Sequence, residues 1–240
     1  SDTIDKLPEA LIEQLRFGDG YSFGILKVEA VEDLKALNIT QILSAALRGQ
    51  SLTAVAAVFT AVFVCGLFQS GVLSTAVGHG MRRISLFVAA VMGMIMYSLL
   101  LMLVFIASSI LSALAFFGTK AFIHISTSTA LSVVLREVTL LIAFEVACTS
   151  IAFILRRALA SALTFITLIV VIPPGLYFLD LFFVGEFHVS NLYIICIMDR
   201  LADPSATTAA ILNGFVVAFA TAFLWALLAV YLLYETDLEY

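Results

Sequence analysis

Hydrophobic residues fall along this chain in five long runs, separated by short stretches rich in glycine, arginine and small polar residues. The first is "SLTAVAAVFTAVFVCGLF", 51–68. The second begins at Ile84 and stays apolar to Phe117, longer than one crossing needs, so a span over 84–110 followed by a buried or re-entrant piece is expected. The third is "EVTLLIAFEVACTSIAFIL", 137–155, the fourth "ALTFITLIVVIPPGLYFLDLFF", 162–183, and the fifth "AAILNGFVVAFATAFLWALLAVYLLY", 209–234. About 20 apolar residues carry a helix across a bilayer, and each run offers roughly that. The pattern predicts an all-α fold: a polytopic transmembrane helix bundle with five visible spans.

Residues 1–48 follow another rule. "LPEALIEQLRFG", 7–18, reads as a short helix, with Pro8 near its start, Leu11, Ile12 and Leu15 on one face, and Gly18 at its stop. "VEDLKALNITQILSAALRG", 31–49, reads as a second amphipathic helix, in which Leu34, Leu37, Ile42 and Leu47 recur at roughly helical spacing. Two such helices ahead of a membrane run lie on the bilayer surface or form a small cap outside it. The chain thus divides into an amphipathic-helix segment, 1–48, and a transmembrane domain, 49–240.

Composition agrees with the pattern. Only 12% of residues are charged against 62% hydrophobic, where a soluble domain carries about 25% charged residues. The net charge of -5 comes largely from the two ends: eight of the seventeen acidic residues lie in 1–33 and three more close the chain. No basic stripe suggests nucleic acid. Cys65, Cys148 and Cys196 are far apart and show no metal-ligand spacing. His79, His124 and His188 fall on different loops, and no Ser/His/Asp or Cys/His set shares a surface, so no catalytic site is expected.

Arginine placement orients the bundle. Arg82-Arg83 and Arg156-Arg157 stand at span ends in the two short loops of one side, where the positive-inside rule acts most strongly. These loops and the C-terminal tail are expected in the cytoplasm, and residues 1–48 and the loop or hairpin 184–208 outside. The membrane so implied is a cell membrane crossed several times. A polar N-terminal segment outside the membrane, with no basic, apolar leader in view, implies a further span upstream of Ser1.

Two features inside the spans carry candidate chemistry. Glu145 lies mid-span, where a carboxylate costs a few kcal/mol, so it should face the bundle interior or a water-filled path. It is either a substrate or proton contact or a structural partner for a hydroxyl or arginine on a neighbouring helix. Thr149 and Ser150 would extend its polar face by one turn. Pro173-Pro174-Gly175 interrupts the fourth span and removes two backbone donors, which fits either a re-entrant hairpin at the outer face or a kink. Small residues are dense in spans one and five and allow close helix approach, as a dimer interface would require.

The loop between the first two spans reads "GLFQSGVLSTAVGHGMRRISLF", 66–87. Flanking glycines and helix-compatible residues predict a short helix across the membrane surface, its end held at the headgroups by Arg82 and Arg83. With Phe68-Gln69-Ser70-Gly71 at its head and Gly80-Met81-Arg82-Arg83 at its end, this loop resembles the coupling loop of type-2 ABC permeases, the membrane subunits of ABC exporters. The resemblance covers about residues 50–240 and includes a final span that runs into a short Asp-containing tail. Gln69 stands where that family usually has Glu.

The resemblance implies six spans, of which the first is missing here. It implies an export path for an amphipathic cargo (peptide, bacteriocin, drug or lipid) formed with a second permease copy. Residues 69–83 would be the coupling loop, with Gln69, Gly71, Val72, Leu73, Val77, Gly78, Gly80, Arg82 and Arg83 as its residues. Val72, Leu73 and Val77 would enter a cleft on a separate ABC ATPase subunit. Glu145 and Thr149 would line the substrate path. This chain has no G-x-x-x-x-G-K-[ST], so ATP and Mg belong to the partner, and the chain itself is expected not to be an enzyme. The alternatives are an ion-coupled carrier or channel-like protein with Glu145 as its coupling group, and a non-transporting membrane scaffold.

Overall fold

A computed structural model of the protein describes residues 50–117, 127–180 and 188–235, with shorter stretches at 16–17, 20–23, 26–29, 43–44 and 47. Five helices in it are long and apolar enough to cross a membrane, with mean hydropathies of 2.1 to 2.5. The chain is an all-α multi-pass membrane bundle. The helices are α1 (Gln50–Gln69), α2 (Val72–Gly78), α3 (Arg83–Phe117), α4 (Thr127–Leu155), α5 (Ala158–Ile166), α6 (Ile172–Asp180), α7 (Ile194–Leu201) and α8 (Thr208–Glu235). A π-turn, Thr167–Val171, joins α5 to α6 into one span, and a 3₁₀ turn, Val189–Leu192, precedes α7.

Alternating passes place α2, the Arg156-Arg157 turn and the end of α8 on one face. The end of α3, the start of α4, the 3₁₀ turn and α7 lie on the other. The fourth helix is the axis of the bundle: α1, α3, α5, α7 and α8 all pack on it, and it is the most deeply buried span. Lipid tails are as apolar as leucine, so close packing rather than water exclusion holds such helices together. The side chains sort accordingly. Ala56, Ala57 and Ala61 of α1 face inward while Val58, Phe59, Val62 and Phe63 face outward.

The last span follows the same rule. Gly214, Ala218 and Ala222 make a buried ridge along α8, with Phe219, Phe223 and Leu224 exposed. The small residues expected to suit a dimer interface are therefore spent largely within the chain. At Gly214 a Cβ would sit 2.8 Å from both Ile197 Cγ2 and Leu201 Cδ1 of α7, so a side chain there cannot be added without displacing those two.

Several expectations are corrected. The second span is one unbroken helix of 35 residues with no re-entrant piece, because nothing between Arg83 and Phe117 removes a backbone donor. The third begins ten residues earlier than Glu137, at Thr127. The fourth does not fold back at its prolines: the π-turn absorbs the fault one turn ahead, and α6 runs through Pro173-Pro174-Gly175 to Asp180. Residues 181–183 of the expected span lie outside the described residues.

In the N-terminal segment, Arg16–Phe17 (β1), Gly20–Phe23 (β2) and Leu26–Glu29 (β3) form an antiparallel meander in the order β1-β2-β3. The pairings Phe17↔Gly20 and Phe23↔Leu26 leave two residues at each connection. The end of the helix expected over 7–18 is thus replaced by strand. Gly18-Asp19-Gly20 is hairpin chemistry and the alternation after it is that of strands, which outweighs the helical spacing of Leu11, Ile12 and Leu15. The rest of that helix lies outside the described residues, as does most of the second, over 31–49. Of the latter, Leu43, Ser44 and Leu47 are helical and buried. Leu43 packs with Ala113 against Ile106, Ile110 and Ala130, covering the ends of α3 and α4 away from α2.

Gly214→Val should displace the Ile197 and Leu201 side chains at the α7–α8 contact and lower stability by about 1–3 kcal/mol, as overpacking does. Thermal unfolding in detergent measures this, and Gly214→Ala should fall between the two.

Candidate functional site

Glu145 sits near the middle of α4 and is 0% exposed. Its carboxyl meets one hydroxyl from each of two other helices. Ser98 Oγ on α3 lies 2.6 Å from Oε1, and Thr60 Oγ1 on α1 lies 2.9 Å from Oε2. Thr60 Oγ1 is also 2.9 Å from the Ala56 carbonyl oxygen of its own helix. Burying a carboxyl in an apolar bundle is costly unless it is hydrogen-bonded. Here the bonds tie three spans at one point. The expectation that Glu145 faces inward holds, and its neighbours are hydroxyls, not an arginine.

The polar face does not continue to Thr149. That residue is 0% exposed and its hydroxyl has no hydrogen-bond partner among the described residues. Ser150 turns back to the Val146 carbonyl at 2.6 Å. Glu145 and Thr149 are both fully enclosed by the chain in this arrangement. Nearer the α2 face, Cys65 Sγ lies 3.4 Å from Ser161 Oγ and ties α1 to α5.

An aromatic cluster closes the bundle between Glu145 and the α2 face. Phe153 meets Phe68 and Phe87 edge-on, each at 5.2 Å between ring centroids. The Arg156 guanidinium stands 5.7 Å above the Phe68 ring, a cation–π distance. Arg156 has φ 54°, a left-handed conformation costing roughly 1–2 kcal/mol in a residue with a side chain. The two-residue turn to α5 requires it, and the ring contact offsets part of the cost.

The loop of 69–83 is built as a rigid crank. Gln69 is the last residue of α1. Gly71, at φ 69°, both ends α1, through its N–H to the Phe68 carbonyl, and starts α2, whose Thr75 N–H reaches the Gly71 carbonyl. Helix α2 stops at Gly78. Gly80, at φ 88°, completes a Schellman close: its N–H reaches the Val77 carbonyl, and the Met81 N–H reaches that of Ala76. Leu73 is 4% exposed and lies in the main core, Val77 is half-buried, and Val72 is 51% exposed. Leu73 therefore cannot enter a partner's cleft as expected, because one face of α2 already docks on this chain's own spans. Arg82 is exposed, whereas Arg83 donates to the Leu233 carbonyl at 2.7 Å, fixing α3 to the end of α8.

On the opposite face the hairpin of the 3₁₀ turn and α7 is held from below. In the π-turn the Ile172 N–H reaches the Thr167 carbonyl, so the Leu168 carbonyl would next need a donor from Pro173, which has none. The Tyr193 hydroxyl supplies it at 2.6 Å. Asp180 Oδ1 accepts from the backbone N–H of Val189 at 2.6 Å, and Tyr177 donates to Asp199 at 3.1 Å. Arg200 lies 3.7 Å from Asp180 and donates to Ser190 and Asn191. No group of metal-ligating side chains forms among the described residues.

The chain matches no protein-family model, no curated protein and no solved structure. The site residues absent from the sequence reading are Thr60, Ser98 and Tyr193. The first two had a signal: each is an isolated hydroxyl at the centre of an apolar run, at the depth of Glu145. Tyr193 had none, since its partner exists only because the π-turn misaligns a carbonyl.

Thr149→Val removes a buried hydroxyl without a partner and keeps the shape, so stability should hold or rise. A clear fall in melting temperature would mean that Thr149 is bonded. Tyr193→Phe should cost about 1–3 kcal/mol, the penalty of an unsatisfied buried carbonyl, with faster amide exchange confined to the hairpin and α6.

Proposed function

We propose that this chain is the permease subunit of an ABC exporter, coupling at the cytoplasmic face to a separate ATPase subunit and forming the path for an amphipathic cargo with a second permease copy. The observation that carries the reading is α2: a short helix between two spans, bracketed by left-handed glycines, with Leu73 keyed into the bundle and Val72 turned outward. A push on α2 passes directly into α1 through Gly71, and into α3 and α8 through the Schellman close and the Arg83–Leu233 bond. That is the mechanical requirement of a coupling element. The 3₁₀ turn and α7 before the final span, within the loop or hairpin expected over 184–208, lend further support.

The buried carboxyl favours this reading over an ion-coupled carrier with Glu145 as its coupling group. A coupling group must exchange its ion with water, whereas Glu145 has both oxygens engaged and no exposed surface.

The test uses the exposed side of α2. The full chain, extracted from its native membrane in mild detergent, should bring down an ATP-hydrolysing subunit. Val72→Asp with Ser74→Asp places charge at that contact, which is costly without a partner, and should abolish the co-purification while insertion and melting temperature hold. Unchanged co-purification and transport would sink the proposal. Orientation is checked with single cysteines on a background in which Cys65, Cys148 and Cys196 are replaced. Cysteine at Ser74 should label only from the cytoplasm and at Leu192 only from outside, both positions being exposed.

A further inference from the structure

The hydrogens around Glu145 can be counted. Three short contacts link Ser98, Glu145, Thr60 and the Ala56 carbonyl in a row: Ser98 Oγ to Oε1 at 2.6 Å, Oε2 to Thr60 Oγ1 at 2.9 Å, and Thr60 Oγ1 to Ala56 O at 2.9 Å. A hydroxyl has one hydrogen, and the Ala56 carbonyl can only accept. With an ionised carboxyl the row holds two hydrogens for three contacts, so the Thr60 hydrogen must be divided between Glu145 and Ala56. With a neutral carboxyl it holds three hydrogens for three contacts. Ser98 then donates to Oε1, Oε2–H donates to Thr60, and Thr60 donates to Ala56.

The surroundings agree with the second count. Glu145 has no ion-pair partner among the described residues. On its own helix the titratable groups are Arg136, Glu137 and Cys148. On the elements packed against α4 they are Cys65 of α1, Arg83 and Tyr97 of α3, Cys196, Asp199 and Arg200 of α7, and Tyr231, Tyr234 and Glu235 of α8. The basic groups among these are engaged elsewhere: Arg136 with Ser132 and the Asp203 carbonyl, Arg83 with Leu233, and Arg200 with Ser190 and Asn191. Cys148, also fully enclosed, supplies no positive charge.

We propose that Glu145 is a proton-binding site, carrying its proton on Oε2, and that this proton is the third hydrogen of a neutral lock joining α1, α3 and α4. The proposal does not depend on the exporter reading. Loss of the proton would return a charge to the centre of the bundle and leave one of three contacts without a hydrogen, so the lock is complete only while the proton is held.

Infrared difference spectra of the full chain in lipid nanodiscs test this at neutral pH. Wild type minus Glu145→Gln should show the C=O stretch of a protonated carboxyl. A carboxylate doublet in its place overturns the proposal. A second pair of variants keeps the test valid even where Glu145→Gln does not fold. Ser98→Ala removes the donor to the carbonyl-like oxygen and should move the protonated band up in frequency by more than Thr60→Val does. A larger shift from Thr60→Val would place the proton on Oε1, and no band in either variant would show an ionised group; either result refutes the lock as drawn.

Discussion

A polar group that enters this bundle finds its hydrogen bonds within the chain or not at all, since lipid offers none. The fourth helix carries the heaviest such demand, a carboxyl at mid-depth, and the rest of the architecture is organised about it. Thr60 and Ser98 fix the relative rotation and height of the first two spans against that helix, because a hydroxyl can reach a carboxyl oxygen from only one register. Packing alone would not select that register. Alanine ridges slide past one another at little cost, whereas a hydrogen bond lost in lipid is not replaced.

The two ends of the bundle solve the same problem of backbone ends by different means. On the α2 side the turns are closed within the loop itself: Gly71 and Gly80 take left-handed conformations, backbone N–H groups reach the last carbonyls, and the Ser74 and Thr75 hydroxyls also donate to the Gly71 carbonyl. Such turns are stiff and local. On the other side the fault lies inside a span, where Pro173 and Pro174 remove donors, and the remedy comes from a different element, through the Tyr193 hydroxyl. That end is held by side chains reaching between α6, the 3₁₀ turn and α7.

Much of this was legible in the residues. Five runs of adequate length gave five spans, and the last matched within a residue at each end, because Thr207 and the acidic tail bound it sharply. The glycines at 71 and 80 mark the two ends of a short helix, where both take the positive φ that glycine adopts without strain. What failed had a physical reason in each case. The second run is apolar to Phe117, but an apolar run does not say whether its end continues the helix or turns back. The prolines were read as a break because a π-turn upstream leaves no mark in the sequence. Leu73 was assigned to a partner because periodicity gives a helix its two faces but not their owners. The carboxyl was placed correctly from its cost in lipid, and its partners waited on the register of two other helices.

One consequence of the unbroken second span concerns what lies above the bilayer. At 1.5 Å per residue, 35 residues extend about 52 Å, against a hydrocarbon core of about 30 Å. An ordinary tilt of about 20° shortens the vertical reach only to about 49 Å. The surplus is still greasy, with Leu111 and Leu114 facing outward, and cannot stand bare in water. Leu43 lies against that end, beside Ala113 and Ile110. The chain thus covers part of the surplus itself, with Leu43 as a cap on the far ends of α3 and α4.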